Sequence, residues 1–63
     1  MKILFQPDNK FNGDLSKLPN DRLFKMKAVP RVGEKVAIGG VFYKIVDVLY
    51  DGNDGSFIIC YFI

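Results

Sequence analysis

The residues that could support catalysis are few and widely spaced in this 63-residue chain. It contains no His and a single Cys, Cys60, which lies inside the apolar segment 57–63. Such a position favours a small packing residue over a nucleophile. Without His, a general base would have to be Asp, Glu, Lys or Tyr with a shifted pKa. The seven acidic residues fall in predicted turns or outward positions, so we expect no enzymatic activity and no cofactor.

A calcium loop is the metal site that the sequence most resembles. Asp51, Asn53 and Gly55 match the start of an EF-hand loop, but its twelfth position is Phe62, where a bidentate Glu is required. Turn-forming residues instead predict a hairpin loop over 51–55. With one Cys and no His, a Cys/His zinc cluster is excluded as well, and we expect no metal.

Basic residues concentrate in the first half of the chain, although the net charge is only +2. Residues 1–31 contain seven Lys or Arg and three Asp, whereas 32–63 contain two Lys and four acidic residues. A nucleic-acid surface would combine such charge with an exposed aromatic ring for stacking, for which Phe42 is available. The candidate nucleic-acid residues are Lys25, Lys27, Arg31 and Lys35. The alternative for them is a solubilising outer surface.

Apolar residues in period-two alternation predict five β-strands and little helix. The strands cover residues 1–5, 22–28, 35–38, 41–50 and 56–62. Gly39 and Gly40 predict a two-residue hairpin turn, because glycine tolerates the positive φ angles that such turns need. Pairing the first strand with the last would cover two apolar edges and close the meander into one small barrel.

Two local features refine this outline. Strict alternation along 41–50 would bury Asp47, which is costly for an unpaired carboxylate. We therefore predict a β-bulge near Val46 and Asp47 that turns Asp47 out and Val48 in. The long loop 6–21 is predicted to form one helical turn near 14–18, capped by the first of these residues. Three apolar side chains are expected to pin this loop to the core: Phe11, Leu15 and Leu18.

The segment 29–48 contains the pattern Pro-x-x-Gly-x-x-Val-x-Ile, a glycine turn, and Tyr-x-Ile-x-x-Val. It resembles a segment common in small phage and prophage proteins with SH3-like barrels, and is similar to the KOW-type barrels of ribosome and transcription factors. The resemblance implies a single all-β domain over 1–63, a five-stranded SH3-like barrel with a long loop after the first strand. Such phage proteins include virion components, regulators and inhibitors of host enzymes. Eukaryotic peptide-binding SH3 domains use a groove Trp, which this chain lacks.

Two predicted strands, 41–50 and 56–62, are apolar on both faces, whereas one barrel has only one interior. We place the following side chains inside: Tyr43, Ile45, Phe57, Ile59, Tyr61 and Ile63. The apolar side chains predicted to face out are then Phe42, Val46, Ile58 and Phe62, together with Cys60. We predict that the first four of these residues form a protein interface, with a partner or a second copy, or that they lie beneath the loop 6–21.

These observations favour a binding protein over an enzyme. The first hypothesis is a phage-type accessory protein that docks on a host or phage protein and modulates it by occlusion. The alternatives are a nucleic-acid-binding barrel and a small structural subunit of a virion or other assembly. The apolar start of the chain ends at 6–8, too early for a signal peptide, and the longest apolar run is far below the roughly 20 residues of a membrane span. We expect a cytoplasmic protein (in the host, if phage-encoded) without a membrane partner.

Overall fold

The computed structural model describes residues 2–52 and 57–63 and shows an all-β protein. Its strands are β1 (Lys2–Pro7), β2 (Leu23–Lys25), β3 (Lys35–Ile38), β4 (Val41–Asp51) and β5 (Phe57–Phe62). Within the described ranges the helical structure is one 3₁₀ turn at Leu15–Lys17. The prediction of five strands and little helix is confirmed, but β2 is shorter than the predicted 22–28.

All five strands lie in one curled sheet in the order β2-β1-β5-β4-β3. Neighbours are antiparallel except β1 and β5, which run parallel. An up-and-down chain of five strands leaves its first and last strands pointing the same way, so closing it pairs them in parallel. The predicted pairing of the first and last strands is confirmed. The result is a curled half-barrel of the small SH3-like type, with β2 and β3 as its two edges.

The core follows from the register of β1 and β5, which pairs Ile3 with Ile58 and Phe5 with Cys60. From the other side of β5, Ile45 of β4 lies opposite Phe62. These side chains are at most 2% exposed, and Leu18 and Ile38 complete the buried cluster. Tyr43, Val36 and Val48 pack against it.

The predicted orientation of β5 is wrong. Ile58 and Phe62 face the core, whereas Phe57, Ile59 and Tyr61 point to the outer face. The alternation of apolar and polar residues does not show which face of β5 is buried, because β5 has large apolar side chains on both sides. The register decides it, since Phe57 pairs with Lys2 and Tyr61 pairs with Gln6 on the outer face of β1.

Two predicted irregularities of the β3–β4 hairpin and β4 are confirmed. The register shifts between Ile45 and Asp47, where Asp47 is exposed and its carboxylate accepts a hydrogen bond from the Val48 N–H at 2.9 Å. Val48 turns toward the core. At the hairpin turn, Gly39 and Gly40 have φ angles of 59° and 82°, which other residues rarely adopt. Of the predicted hairpin loop 51–55, residues 53–55 lie outside the described residues.

The long loop after β1 covers the open side of the half-barrel. Phe11 packs edge-on against Phe62 with 5.6 Å between ring centroids, and Leu18 is buried, so two of the three predicted anchors are confirmed. Leu15 is 62% exposed and does not anchor the loop, because it lies on the solvent side of the 3₁₀ turn. Asp14 caps this turn, as predicted, by accepting a hydrogen bond from the backbone N–H of Ser16.

The face that β5 presents to the core can be tested by one substitution at adjacent positions. Ile58→Val removes a methylene from the buried core, so the free energy of unfolding should fall by about 0.5–1.5 kcal/mol. Ile59→Val makes the same change on the outer face and should cost at most about 0.5 kcal/mol. Urea denaturation measures both. A larger loss for Ile59→Val than for Ile58→Val would contradict the core described here.

Candidate functional site

The outer face of the sheet carries a row of aliphatic side chains that crosses four strands. Leu4 lies directly opposite Leu23 on one side and Ile59 on the other. Leu49 lies opposite Ile59 and completes the row. We call these four residues the outer apolar row. Leu23 and Leu49 are 42% and 47% exposed, so the row is open to solvent in the single chain.

Aromatic and charged side chains flank the outer apolar row. Phe57 and Tyr61 are the neighbours of Ile59 on the same face of β5, and Phe57 is 36% exposed. Two basic and two acidic residues lie at opposite sides of this face. Lys2 and Lys25 are on β1 and β2, whereas Asp47 and Asp51 are on β4. An apolar centre with such a polar rim is the usual composition of a protein interface.

The predicted interface residues do not form one surface. Phe42 is 75% exposed and Val46 is half-buried at the bulge, whereas Ile58 and Phe62 belong to the core. Phe42 lines a groove of about 660 Å³ between the β3–β4 hairpin and the long loop. It precedes Leu49 by seven residues, or roughly 20 Å along a strand, and so does not extend the outer apolar row. A binding role for Phe42 alone stays a prediction.

The alternative prediction, that the predicted interface residues lie beneath the loop 6–21, is correct for one of them and wrong for another. Phe62 does lie beneath the loop 6–21, because the ring of Phe11 packs on it. Phe42 is not covered, as its exposure shows. On the outer face, Asp47, Leu49 and Tyr61 share a hollow with Asp8 and Asn9, where the loop begins.

The candidate nucleic-acid residues are divided among different surfaces. Lys25 and Lys35 line one groove between β2 and β3. Arg31 lines another groove, beside Tyr50. Lys27 is exposed but lies beyond the end of β2, so its predicted alternation with Lys25 in one strand does not hold. Nucleic-acid binding by these residues stays a prediction.

Arg22, also basic and near β2, is used inside the molecule. Its guanidinium donates hydrogen bonds of 2.9 Å to the Phe5 carbonyl oxygen, 2.8 Å to the Pro19 carbonyl oxygen and 3.4 Å to the Gln6 side-chain oxygen. These bonds fasten the end of the long loop to β1. Arg22 is therefore a structural residue, and its charge is partly withdrawn from the surface.

The residues considered for chemistry have structural roles in the described part of the chain. Cys60 is fully buried, and burial raises the pKa of its thiol. The Ser16 hydroxyl and backbone N–H both donate to Asp14, which lowers the pKa of that carboxyl. Among residues 2–52 and 57–63, no three acidic or Cys side chains are grouped closely enough to hold a metal ion. Asn53 and Gly55 of the calcium-like pattern lie outside these ranges.

The residues of the outer apolar row were missed by sequence reasoning, although one signal pointed to them. Once the bulge turns Asp47 outward, alternation also turns Leu49 and Asp51 outward. Phe57 lies opposite Asp51 across the following hairpin and must share its face. The register of this hairpin therefore decides which side chains of β5 face out. A change of one residue in the length of the predicted loop moves all of them to the other face.

Comparisons with protein-family models, with curated proteins and with solved structures found no match. The resemblance of residues 29–48 to phage SH3-like barrel proteins therefore stays a prediction. Across the described ranges, the structure has no helix long and apolar enough to cross a membrane.

The buried thiol gives a test of the core that uses pH. Because burial raises the pKa of Cys60 above its ordinary value of 9.0, the folded state binds this proton more tightly than the unfolded state. The stability that the buried, protonated thiol contributes is complete below about pH 9, and it is lost as the pH rises above the pKa that the thiol has in the unfolded state. The wild type should therefore lose stability relative to Cys60→Ala in alkaline denaturant titrations.

The same thiol should react slowly with iodoacetamide in the native protein and rapidly in urea. Native labelling as fast as in urea, or a stability difference from Cys60→Ala that does not change with pH, would contradict a buried Cys60.

Proposed function

We propose that this protein is a small non-enzymatic accessory protein that binds another protein through its outer apolar row and modulates it by occlusion. The observation that carries this proposal is the alignment across four paired strands of Leu4, Leu23, Leu49 and Ile59, of which Leu23 and Leu49 are exposed and the other two are half-buried. The phage-type origin and cytoplasmic location are parts of the same proposal. The resemblance of residues 29–48 supports the phage-type origin, and the cytoplasmic location is carried over from the sequence analysis.

The size of the apolar row is adequate for docking. Burying one fully exposed large aliphatic side chain contributes about 1.5–3 kcal/mol. The four side chains of the outer apolar row are already partly buried, so each supplies a part of this amount, and together they offset part of the entropy lost on association. Phe57 and Tyr61 enlarge the same area, and aromatic residues are enriched in protein interfaces. The polar rim, with lysines at one side and aspartates at the other, favours one orientation of the partner.

Occlusion is the mode of action that suits the shape. The chain measures 33 × 20 × 17 Å and has an accessible surface of 4665 Å². A standard interface uses about 800 Å² of each partner, which is a large share of this surface. A protein this small that commits so much of itself to one contact acts by covering its partner's surface.

A second copy of this chain is the alternative occupant of the outer face. In a two-fold contact each copy presents the same patch, so the basic side of one can approach the acidic side of the other. The structural-subunit hypothesis would use the same face in a larger assembly. These alternatives differ from the proposal in the mass of the purified protein, which would rise with concentration.

The proposal is tested by reversing the polarity of the row at its most exposed position. Leu49→Asp should remain folded, because the side chain is 47% exposed, but should lose partner binding. Leu15→Asp is the matched control, since Leu15 is 62% exposed and lies on the loop. Bacterial proteins retained by the wild type are identified by mass spectrometry, purified and titrated against all three proteins.

A purified partner that binds the wild type and Leu15→Asp at least about tenfold more tightly than Leu49→Asp would support the proposal. Equal binding by all three proteins would contradict it. Self-association of the wild type that Leu49→Asp abolishes would replace the foreign partner by a second copy.

A further inference from the structure

A groove of about 320 Å³ lies between the two edges of the sheet, β2 and β3. Its apolar lining includes Phe5, Phe24, Val36 and Ile38, and its basic residues are Lys25 and Lys35. We call it the edge groove. Its volume is at the lower end of the range for ligand-binding clefts, and it does not include any residue of the outer apolar row.

Both edges direct backbone hydrogen-bonding groups toward the edge groove. The Phe5 N–H donates to the Arg22 carbonyl at 2.9 Å, and antiparallel pairing alternates from there. The backbone groups of Lys25 therefore point away from β1. On the other side, the Ile45 N–H donates to the Glu34 carbonyl at 2.8 Å. By the same alternation, Lys35 and Ala37 direct their N–H and C=O groups away from β4.

Each edge also places two lysines directly opposite each other on the outer face. Lys25 pairs with Lys2, and Lys35 pairs with Lys44. Like charges at such positions destabilise a sheet. Within the described ranges, none of these four lysines forms an ion pair with an acidic side chain. Negative charge arriving at either edge would relieve the repulsion at that edge, so the edges are complementary to an acidic ligand.

We propose that the edge groove binds an extended acidic peptide segment of a partner protein, which adds to β3 as a further strand. The peptide backbone pairs with the outward N–H and C=O groups of Lys35 and Ala37. Alternate peptide side chains then point inward, against Phe24, Val36 and Ile38, and must be apolar. The intervening side chains lie on the outer face between Lys25 and Lys35 and must be acidic. This binding is independent of the outer apolar row.

A peptide fits these features better than a nucleic acid does. Phosphates would satisfy the lysines, but they would leave the backbone groups of the edge strand hydrogen-bonded only to water. Strand addition uses both, together with the apolar lining, and is an established way for an exposed sheet edge to bind a peptide. Single-stranded nucleic acid is therefore the competing outcome of the test.

The probe is a fluorescein-labelled peptide in which Glu and Val alternate, titrated against the full-length protein by fluorescence anisotropy. Its controls are a peptide of alternating Lys and Val, and a Glu–Val peptide methylated on alternate backbone nitrogens. We expect the Lys–Val peptide to bind at least about tenfold more weakly. Methylation should weaken binding about fivefold for each hydrogen bond that it removes. Amide NMR shifts should centre on Lys25 and β3.

Variants locate the binding on the protein. Lys35→Glu should weaken binding of the Glu–Val peptide at least about tenfold, whereas Lys10→Glu, an exposed lysine outside the groove, should not change it. Ala37→Pro removes an outward N–H that the β3–β4 pairing does not use, and should weaken binding while the fold is retained. If Ala37→Pro does not fold, the methylated peptide tests the same hydrogen bonds. Leu49→Asp should bind the peptide normally, so failure here is distinct from failure of the proposed function.

Three results would overturn the proposal. Equal affinity for the Glu–Val and Lys–Val peptides would exclude recognition of acidic charge, and undetectable binding at millimolar concentration would exclude the site. Tighter binding of a labelled oligothymidine than of the Glu–Val peptide, lost in Lys35→Glu, would assign the lysines to a nucleic acid instead.

Discussion

The parallel pairing of β1 with β5 is the constraint on which the rest of the structure depends. It joins the two ends of the chain, and its register decides which side chains are inside. With Ile3 opposite Ile58, the core receives the odd-numbered residues of β1 and the even-numbered residues of β5. Leu4 and Ile59 must then share the outer face. A shift by one residue would exchange the buried core for the exposed row.

The closure is incomplete, and the long loop after β1 compensates for part of the opening. Phe11 and Leu18 fill the open side of the half-barrel. Arg22 ties the loop end to β1, since its guanidinium donates two hydrogen bonds to β1 and one to the loop residue Pro19. Pro19 reaches the hairpin turn, where a Cβ built on Gly39 would lie 3.2 Å from its Cγ. The loop thus supplies apolar cover that a small chain with a single cysteine, and so no internal disulfide, needs. It leaves the edges of β2 and β3 open.

The sequence was sufficient for the elements and insufficient for the faces. The glycine turn, the bulge at Asp47 and the capped turn at Asp14 were predicted correctly, because each is decided by local backbone chemistry. The orientation of β5 was not, because every residue from Phe57 to Ile63 is apolar. Only pairing with β1 and β4, whose outer faces carry Lys2, Gln6 and Asp51, resolves it. The predicted interface was wrong for the same reason, because it included Ile58 and Phe62 as outward residues and both are buried in the core.

The same pairing places an apolar surface on the side of the sheet opposite the core, but it does not explain why that surface is apolar. β5 is the central strand, with paired neighbours on both sides, and its inner face needs large side chains to fill the half-barrel. Folding alone does not require its outer face to be apolar as well, because a central strand is stable with polar residues facing water. Packing within one chain therefore does not account for the large apolar side chains of Phe57, Ile59 and Tyr61 on the outer face. Exposed apolar patches of this kind are typical of interaction sites, and this is the basis of the binding proposed for the outer face.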